Sequence, residues 1–171
     1  RVIVGASHDE KVYVYNHTYS SGSWGATQEA VLTVSAGYDS TGYFGRSVSL
    51  SGTKLAVGAP WYSHSISKQQ SGVVYIFSRN SDGTWTEDQK FSRDGGINNN
   101  KFGHSVALDG ERLVTTQYYS YSAAFLYINR EGTFVEEDNF QTGDNHNYGG
   151  SADQRALALQ GETLIYGRGS W

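Results

Sequence analysis

The 171-residue sequence has no cysteine, a single proline and no surplus of positive charge. The absence of cysteine excludes disulfides, thiolate metal sites and cysteine catalysis. Asp plus Glu number 17 against 13 for Lys plus Arg, a formal net charge of −4, so neither a nucleic-acid surface nor a polybasic membrane patch is expected. No apolar run approaches the roughly 20 residues of a membrane-spanning helix. We therefore expect no nucleic-acid partner and no membrane span.

Glycine and aromatic residues make up much of what is present, with 21 Gly, 13 Tyr, 7 Phe and 4 Trp. The apolar runs are short, and no window has a helical hydrophobic period of useful length. Short apolar runs between glycine-rich turns are typical of all-β proteins. The composition therefore predicts an all-β fold.

One segment recurs along the chain. Residues 44–55 (FGRSVSLSGTKL) return as residues 102–113 (FGHSVALDGERL), and residues 156–164 are a weaker third copy. Residues 2–7 match residues 55–60 in the same way. The copies are spaced by 51 to 58 residues, a spacing typical of repeats that each fold as one supersecondary unit.

Each repeat contains four predicted strands. In the second unit they cover residues 47–50, 54–58, 73–78 and 85–91. Glycine stands in the tight turn after the first strand of each copy, where a hairpin needs a positive φ, at Gly52, Gly110 and Gly161. Four antiparallel strands per repeat describe a β-propeller blade. The sequence thus predicts a β-propeller built from four-stranded antiparallel blades, since a β-sandwich, the alternative, does not explain the repeated phase.

The repeat phase divides the chain into about three blades. Residues 1–43 form a blade that lacks its first strand, residues 44–101 and 102–147 are full blades, and residues 148–171 start a further one. Closed propellers use roughly 4–8 blades, so this is an incomplete ring. We expect further blades of the same chain, or other chains, to complete the ring. The former is favoured because both ends of the sequence fall inside a blade.

Two motifs relate the chain to a known family. Phe44-Gly45-Arg46-Ser47-Val48-Ser49-Leu50 is followed by Leu55-Ala56-Val57-Gly58-Ala59-Pro60. This pair resembles the FG-GAP repeat family, which includes the integrin α-subunit propeller. Phe102-Gly103 keeps the first motif, and Gly5-Ala6-Ser7 keeps part of the second. The resemblance implies a non-enzymatic extracellular module, secreted or at the cell surface, that mediates adhesion or builds a structural assembly.

Calcium, which integrin-type repeats often hold in an Asp-rich loop between their first two strands, is not expected here. The corresponding loops have shrunk to residues 51–53, 109–111 and 160–162. A cation with 6–8 oxygen ligands needs a longer, carboxylate-rich loop. The chain is therefore similar to the metal-free variety of the repeat, and we expect no cofactor.

Three motifs that suggest catalysis or metal binding have simpler interpretations. His104-Ser105 resembles a nucleophile elbow, but its repeat counterpart is Arg46-Ser47 and no helix follows either copy. The five histidines lack zinc-ligand spacing. Neighbouring carboxylates at residues 136–138 would point to opposite faces of a strand. We expect no catalytic residues, and a propeller glycosidase is the least favoured alternative.

Aromatic loops provide the candidate ligand surface. The candidate residues, from equivalent loops of two neighbouring units, are Trp61, Tyr62, His64, Tyr118, Tyr119 and Tyr121. Tyrosine with serine and glycine makes an adaptable, amphipathic contact surface for a protein or a glycan. A carbohydrate-binding, lectin-like propeller is therefore the alternative function, and packing of one loop onto the next blade is the structural alternative. Asn16-His17-Thr18 is an N-glycosylation sequon, which favours an extracellular glycoprotein.

Overall fold

The computed structural model describes residues 1–35, 40–93, 98–117, 123–141 and 157–166. Their regular structure is entirely β, with no helix among these residues. The strands are β1 (Val2–Ala6), β2 (Lys11–Ser20), β3 (Ser23–Leu32), β4 (Ser47–Ser51), β5 (Lys54–Ala59), β6 (Val73–Arg79), β7 (Trp85–Phe91), β8 (Val106–Asp109), β9 (Arg112–Thr116), β10 (Ala123–Arg130), β11 (Thr133–Gln141), β12 (Leu157–Gln160) and β13 (Thr163–Tyr166). The four strands predicted for the second unit are confirmed as β4 to β7.

The strands form consecutive antiparallel sheets. Strands β4-β5-β6-β7 make one four-stranded sheet and β8-β9-β10-β11 make another, each in chain order. Strands β1-β2-β3 form a three-stranded sheet, and β12-β13 form a hairpin. Antiparallel four-stranded sheets in simple up-and-down order are the blades that the repeat predicts. The all-β, blade-like architecture is therefore confirmed.

The turn after the first strand of each unit has the predicted backbone. Gly52, Gly110 and Gly161 have φ values of 60°, 57° and 54°. Each is the first residue of a two-residue loop between paired strands, a position that suits glycine because it lacks a Cβ. The repeated Gly in the sequence thus specifies a repeated hairpin.

A β-bulge recurs between the third and fourth strands of each unit. The register shifts between Val14 and Tyr15, between Ile76 and Phe77, and between Leu126 and Tyr127. Each shift leaves one unpaired residue in the outer strand, and in all three cases that residue is acidic: Glu29, Asp88 and Glu137. A bulge increases the local twist, so we expect its recurrence to twist these three sheets alike.

Two apolar cores lie between neighbouring sheets. One buries Phe44, Leu55 and Tyr75 against Val12 and Val14 of the first sheet. The other is formed by residues on the opposite face of the same strands together with the third sheet: Ala56, Val74, Ile76, Phe102, Phe125 and Tyr127. Successive strand residues face opposite sides, so both faces of the middle sheet are buried. The sheets therefore stack as blades do.

The glycines of the two motifs are where adjacent sheets touch. A Cβ on Gly58 would lie 2.0 Å from the carbonyl oxygen of Gly103, and a Cβ on Gly5 would lie 2.0 Å from that of Gly45. Both distances are far below van der Waals contact. The second-motif glycine of one unit therefore packs on the first-motif glycine of the next, which explains why the motifs recur together.

A stripe of serines joins the first strands of the second and third units. The Ser47 hydroxyl donates to the Gly103 carbonyl oxygen at 2.9 Å. The hydroxyl oxygens of Ser49 and Ser51 accept from the backbone N–H groups of Leu108 and Gly110, also at 2.9 Å. In the next unit, the Asp109 carboxylate accepts from the Gly161 N–H at 2.6 Å. This ladder aligns successive first strands side by side; the equivalent interface before the second unit lacks a first strand among the described residues.

Candidate functional site

Trp61 lies in the loop after β5 and is half-buried between two units. Its backbone N–H donates to the Gly42 carbonyl oxygen at 3.1 Å, which fixes the start of the loop. The indole lies 5.1 Å from the Tyr43 ring and 6.4 Å from the His104 ring, measured between centroids. The Lys101 ammonium is 5.0 Å from the indole centroid, within cation–π range. Trp61 thus contacts residues beside both neighbouring Phe-Gly motifs, at the boundary before its own unit and at the boundary after it.

The contacts of Trp61 repeat one unit earlier. His8 occupies the position of Trp61 in the first unit, three residues beyond the motif glycine, and its ring lies 5.7 Å from that of Tyr43. Tyr43 is 41 % exposed. We call His8, Tyr43, Trp61, Lys101 and His104 the aromatic rim. The sequence singled out only Trp61 among the aromatic residues of this rim. The signal for the others was their equivalence in the repeat, since Tyr43 and Lys101 both directly precede a Phe-Gly pair.

Tyr62 packs in the core beneath the rim. It is 7 % exposed, and its hydroxyl accepts from the Lys90 ammonium at 2.6 Å. The same ammonium lies 3.9 Å from the Tyr62 ring centroid. A tyrosine this buried offers a ligand little surface. Tyr62 therefore supports the loop, and the accessible aromatic surface beside it comes from Trp61 and Tyr43.

His64 is exposed on the same loop and packs edge-on to Tyr62, with ring centroids 5.0 Å apart. Partial desolvation of the imidazole, and next the nearby Lys90 charge, lower the pKa of His64 from its ordinary value. The side chain is therefore neutral at pH 7, able to donate and accept hydrogen bonds. Its backbone N–H donates to the Lys68 carbonyl oxygen at 3.1 Å, which closes the loop.

The other three residues that the sequence proposes for ligand binding, Tyr118, Tyr119 and Tyr121, lie outside the described residues. Their role in ligand binding stays a prediction, as does that of Trp61, Tyr62 and His64. Asn16 is described, and its side chain is exposed on β2. Its accessibility suits a glycan acceptor.

The motifs that suggested catalysis have structural roles. His104 is 5 % exposed and packs beneath Trp61, and Ser105 leads into β8 rather than into a helix. Glu137 occupies a bulge and pairs with Arg130.

Glu29 lies at the centre of a charge cluster that sequence reasoning missed. Its carboxylate accepts from Arg79 Nε at 2.7 Å, Arg1 Nε at 3.0 Å and Trp85 Nε1 at 3.1 Å. The hydrogen bond from Arg79, with those from Arg1 and Trp85, lowers the Glu29 pKa from 4.5 to about 2. Because Glu29 belongs to the first sheet and Arg79 and Trp85 to the second, the cluster links these two units near their outer strands.

A glutamine links the next pair of units in the same region. Gln89 donates to the Phe134 carbonyl oxygen at 3.0 Å and accepts from the Phe134 N–H at 2.8 Å. Both links join an outer strand to the unit that follows. The outer edges are therefore held by polar contacts, and the interior by the apolar cores.

The described ranges hold no group of three or more His, Cys, Asp and Glu side chains arranged to bind a metal ion. They also hold no helix with the length and apolar character needed to cross a membrane.

A match to a family sequence model indicates the family of part of the chain. No curated protein sequence is similar enough to this chain to count as a relative. The sequence model of the FG-GAP repeat family matches residues 26–77. The match runs from the outer strand of the first sheet through β4, β5 and most of β6, and it includes Phe44-Gly45 and Gly58-Ala59-Pro60. The resemblance drawn from the motifs is thereby confirmed: residues 26–77 carry an FG-GAP repeat, and they lie within consecutive antiparallel sheets consistent with propeller blades.

Proposed function

We propose that the chain is a non-enzymatic, extracellular binding module that acts in adhesion or in a structural assembly, with a protein ligand docking on the aromatic rim. The observation that carries the proposal is the rim itself. Its rings come from the ends of successive units, and they are held in place by backbone hydrogen bonds and inter-unit packing. Rigid Trp and Tyr side chains give large contact areas at low entropic cost, which is why they dominate protein interfaces.

Two further features support this proposal. FG-GAP repeats suggest protein interaction rather than catalysis, and of the motifs that resembled catalytic sites, His104 lies buried under Trp61 and Glu137 lies in a β-bulge. The Asn16 sequon is exposed on β2, as an acceptor used in the secretory pathway needs to be. Further blades, of the same chain or of a partner chain, would extend the rim if their equivalent residues made the contact that Trp61 makes with Lys101.

The test is surface plasmon resonance of the immobilised chain against purified fibronectin, type I collagen and laminin. We expect at least one of these extracellular proteins to bind, and Trp61→Ala to weaken that binding at least tenfold, since truncating a Trp hot spot costs about 2 kcal/mol or more. Thr53→Ala is the matched control, because Thr53 lies in the turn at the opposite end of β5.

Four results would contradict the proposal. Binding that Trp61→Ala leaves unchanged, or binding to no protein in the panel, would remove the rim as a protein site. Glycan-array binding lost in Trp61→Ala would assign the rim to carbohydrate. Hydrolysis of a glycoside by the intact chain would overturn the non-enzymatic assignment.

A further inference from the structure

The hairpin of β2 and β3 is longer than its counterparts. Beyond the recurrent bulge, β2 continues from Tyr15 to Ser20, whereas β6 continues only from Phe77 to Arg79. The last β1 residue to pair, Val2, lies opposite Tyr15. Residues 16–27, which we call the arm, pair only with one another among the described residues. The second unit packs on the Val12 and Val14 face of this hairpin and still leaves Asn16 and Thr18 exposed, so a neighbouring blade of that length would not cover the end of the arm.

One face of the arm is aromatic. Tyr19 pairs with Trp24 across the hairpin, and their ring centroids are 5.0 Å apart. The His17 ring stacks on Trp24 at 5.2 Å with an interplanar angle of 12°. Tyr19 is 61 % exposed and Trp24 is 70 % exposed. Three rings thus form a contiguous, solvent-facing aromatic platform.

The opposite face of the arm is polar. Asn16 lies across from Thr27, and Thr18 lies across from Gly25, so the sequon side chains point away from the three rings. A glycan attached to Asn16 would therefore leave the platform uncovered. A glycan at Asn16 would thus cover only the polar face of the arm, and the aromatic face would remain accessible to a ligand.

The aromatic platform exceeds what hairpin stability requires. A cross-strand aromatic pair stabilises a hairpin by roughly 0.2–1 kcal/mol, which accounts for a Tyr opposite a Trp. It does not account for a third ring stacked beside them. In the second unit, Trp85 stands near the start of the corresponding strand, but it is half-buried and its indole N–H bonds to Glu29. Trp24 lies farther out, where its ring is left to solvent.

The chemistry of the arm favours an uncharged ligand with flat apolar faces. Residues 12–28 contain no Asp, Glu, Lys or Arg. Anionic lipid surfaces are recognised through Lys and Arg, and anionic polymers likewise need cations. The fully covered rings of Tyr19 and Trp24 bury only about 150–250 Å² each, well short of the ~800 Å² that each partner contributes to a specific protein interface. A small neutral ligand fits both limits.

We propose that the aromatic face of the arm is a binding site for a neutral oligosaccharide. The C–H bonds on one face of a pyranose ring carry partial positive charge and pack against the negative face of an aromatic ring. Trp24 and Tyr19 bind successive sugar rings in this way, and the His17 imidazole supplies a hydrogen-bonding group at the edge of the platform. The site is independent of the aromatic rim, since the arm and the Trp61 loop lie at opposite ends of the strands.

The experiment is isothermal titration calorimetry of the full chain with cellotetraose, chitotetraose and mannotetraose. We expect at least one to bind with an affinity between millimolar and micromolar. Trp24→Ala and Tyr19→Ala each weaken that affinity roughly tenfold, in line with ~1–3 kcal/mol for stacking on an aromatic ring. Trp24→Phe retains a ring and is expected to bind with intermediate affinity. This variant separates loss of the ligand contact from loss of the hairpin.

Two variants control the location of the site. Thr27→Ala changes the polar face of the arm, and Trp61→Ala changes the rim, so both leave the affinity unchanged. The proposal is overturned if none of the three sugars binds, or if Thr27→Ala or Trp61→Ala weakens binding as much as Trp24→Ala. It is also overturned if the arm instead binds phosphatidylserine vesicles, or if Trp24→Ala abolishes self-association of the chain.

Discussion

Replacing Gly58 with alanine is expected to destabilise the chain by at least ~3 kcal/mol. The added Cβ would lie 2.0 Å from the Gly103 carbonyl oxygen and 2.3 Å from the Ser47 hydroxyl oxygen, and the first of these is backbone. Relief requires that the second and third sheets separate, which opens the apolar core around Phe102. A loss of this size lowers the melting temperature by roughly 6–12 °C in a chain of this length, as measured by circular dichroism.

Gly25→Ala is the matched control for this substitution. Gly25 also lies within a strand, but a Cβ there would meet only the Thr18 hydroxyl oxygen, at an ordinary 3.9 Å. Alanine in a strand is no worse than glycine, so a change within ~0.5 kcal/mol is expected. Equal melting temperatures for the two variants would show that the motif glycine does not pack against the next unit.

Replacing Glu29 with glutamine is expected to destabilise the chain by about 1–2 kcal/mol at pH 7. The substitution keeps the side-chain size but removes the charge that Arg79 and Arg1 share. The effect is moderate because the cluster lies at the surface, where solvent screens ion pairs. Urea denaturation of the wild type and the variant gives the difference directly.

The pH dependence of that difference identifies its cause. The folded-state pKa of Glu29 is lowered from 4.5 to about 2, so the carboxylate contributes its full stabilisation above about pH 4.5. The contribution is lost as the pH falls from 4.5 towards 2, because the carboxyl then becomes protonated in the folded state as well. The stability difference between wild type and Glu29→Gln should therefore shrink over this window. A difference that stays constant from pH 7 to pH 3 would rule out the ion pairs as its source.

The sequence predicts the fold well because the repeat encodes it more than once. Each Phe-Gly pair and each glycine turn indicates the same local structure at the same position of its repeat. A segment that is ambiguous in one unit can therefore be interpreted from its copy in another unit. The turn at Gly52 and the strands after it are examples, since the structure places both where the pattern does. Short-range rules of turn geometry and alternation suffice for these elements.

The site is less predictable because it depends on contacts between units. Tyr62 lies in an aromatic loop whose composition predicts an exposed contact surface, yet its side chain is buried in the core. Glu29 looks like an ordinary strand carboxylate until a bulge and the next sheet bring Arg79 to it. Trp24 lies near the start of β3, and its exposure follows from the length of the hairpin. Such properties arise from three-dimensional neighbours, which no local pattern specifies.

The central claim is that successive units pack side by side through their motif residues, and hydrogen exchange of three equivalent amides tests it most directly. The Gly110 and Gly161 N–H groups donate to Ser51 and Asp109 of the preceding unit. The equivalent Gly52 N–H has no such acceptor within the described residues. A net hydrogen bond of about 1 kcal/mol slows exchange several-fold, so Gly110 and Gly161 should exchange roughly 5- to 10-fold more slowly than Gly52 when measured by NMR. Equal exchange rates at the three glycines would contradict the account.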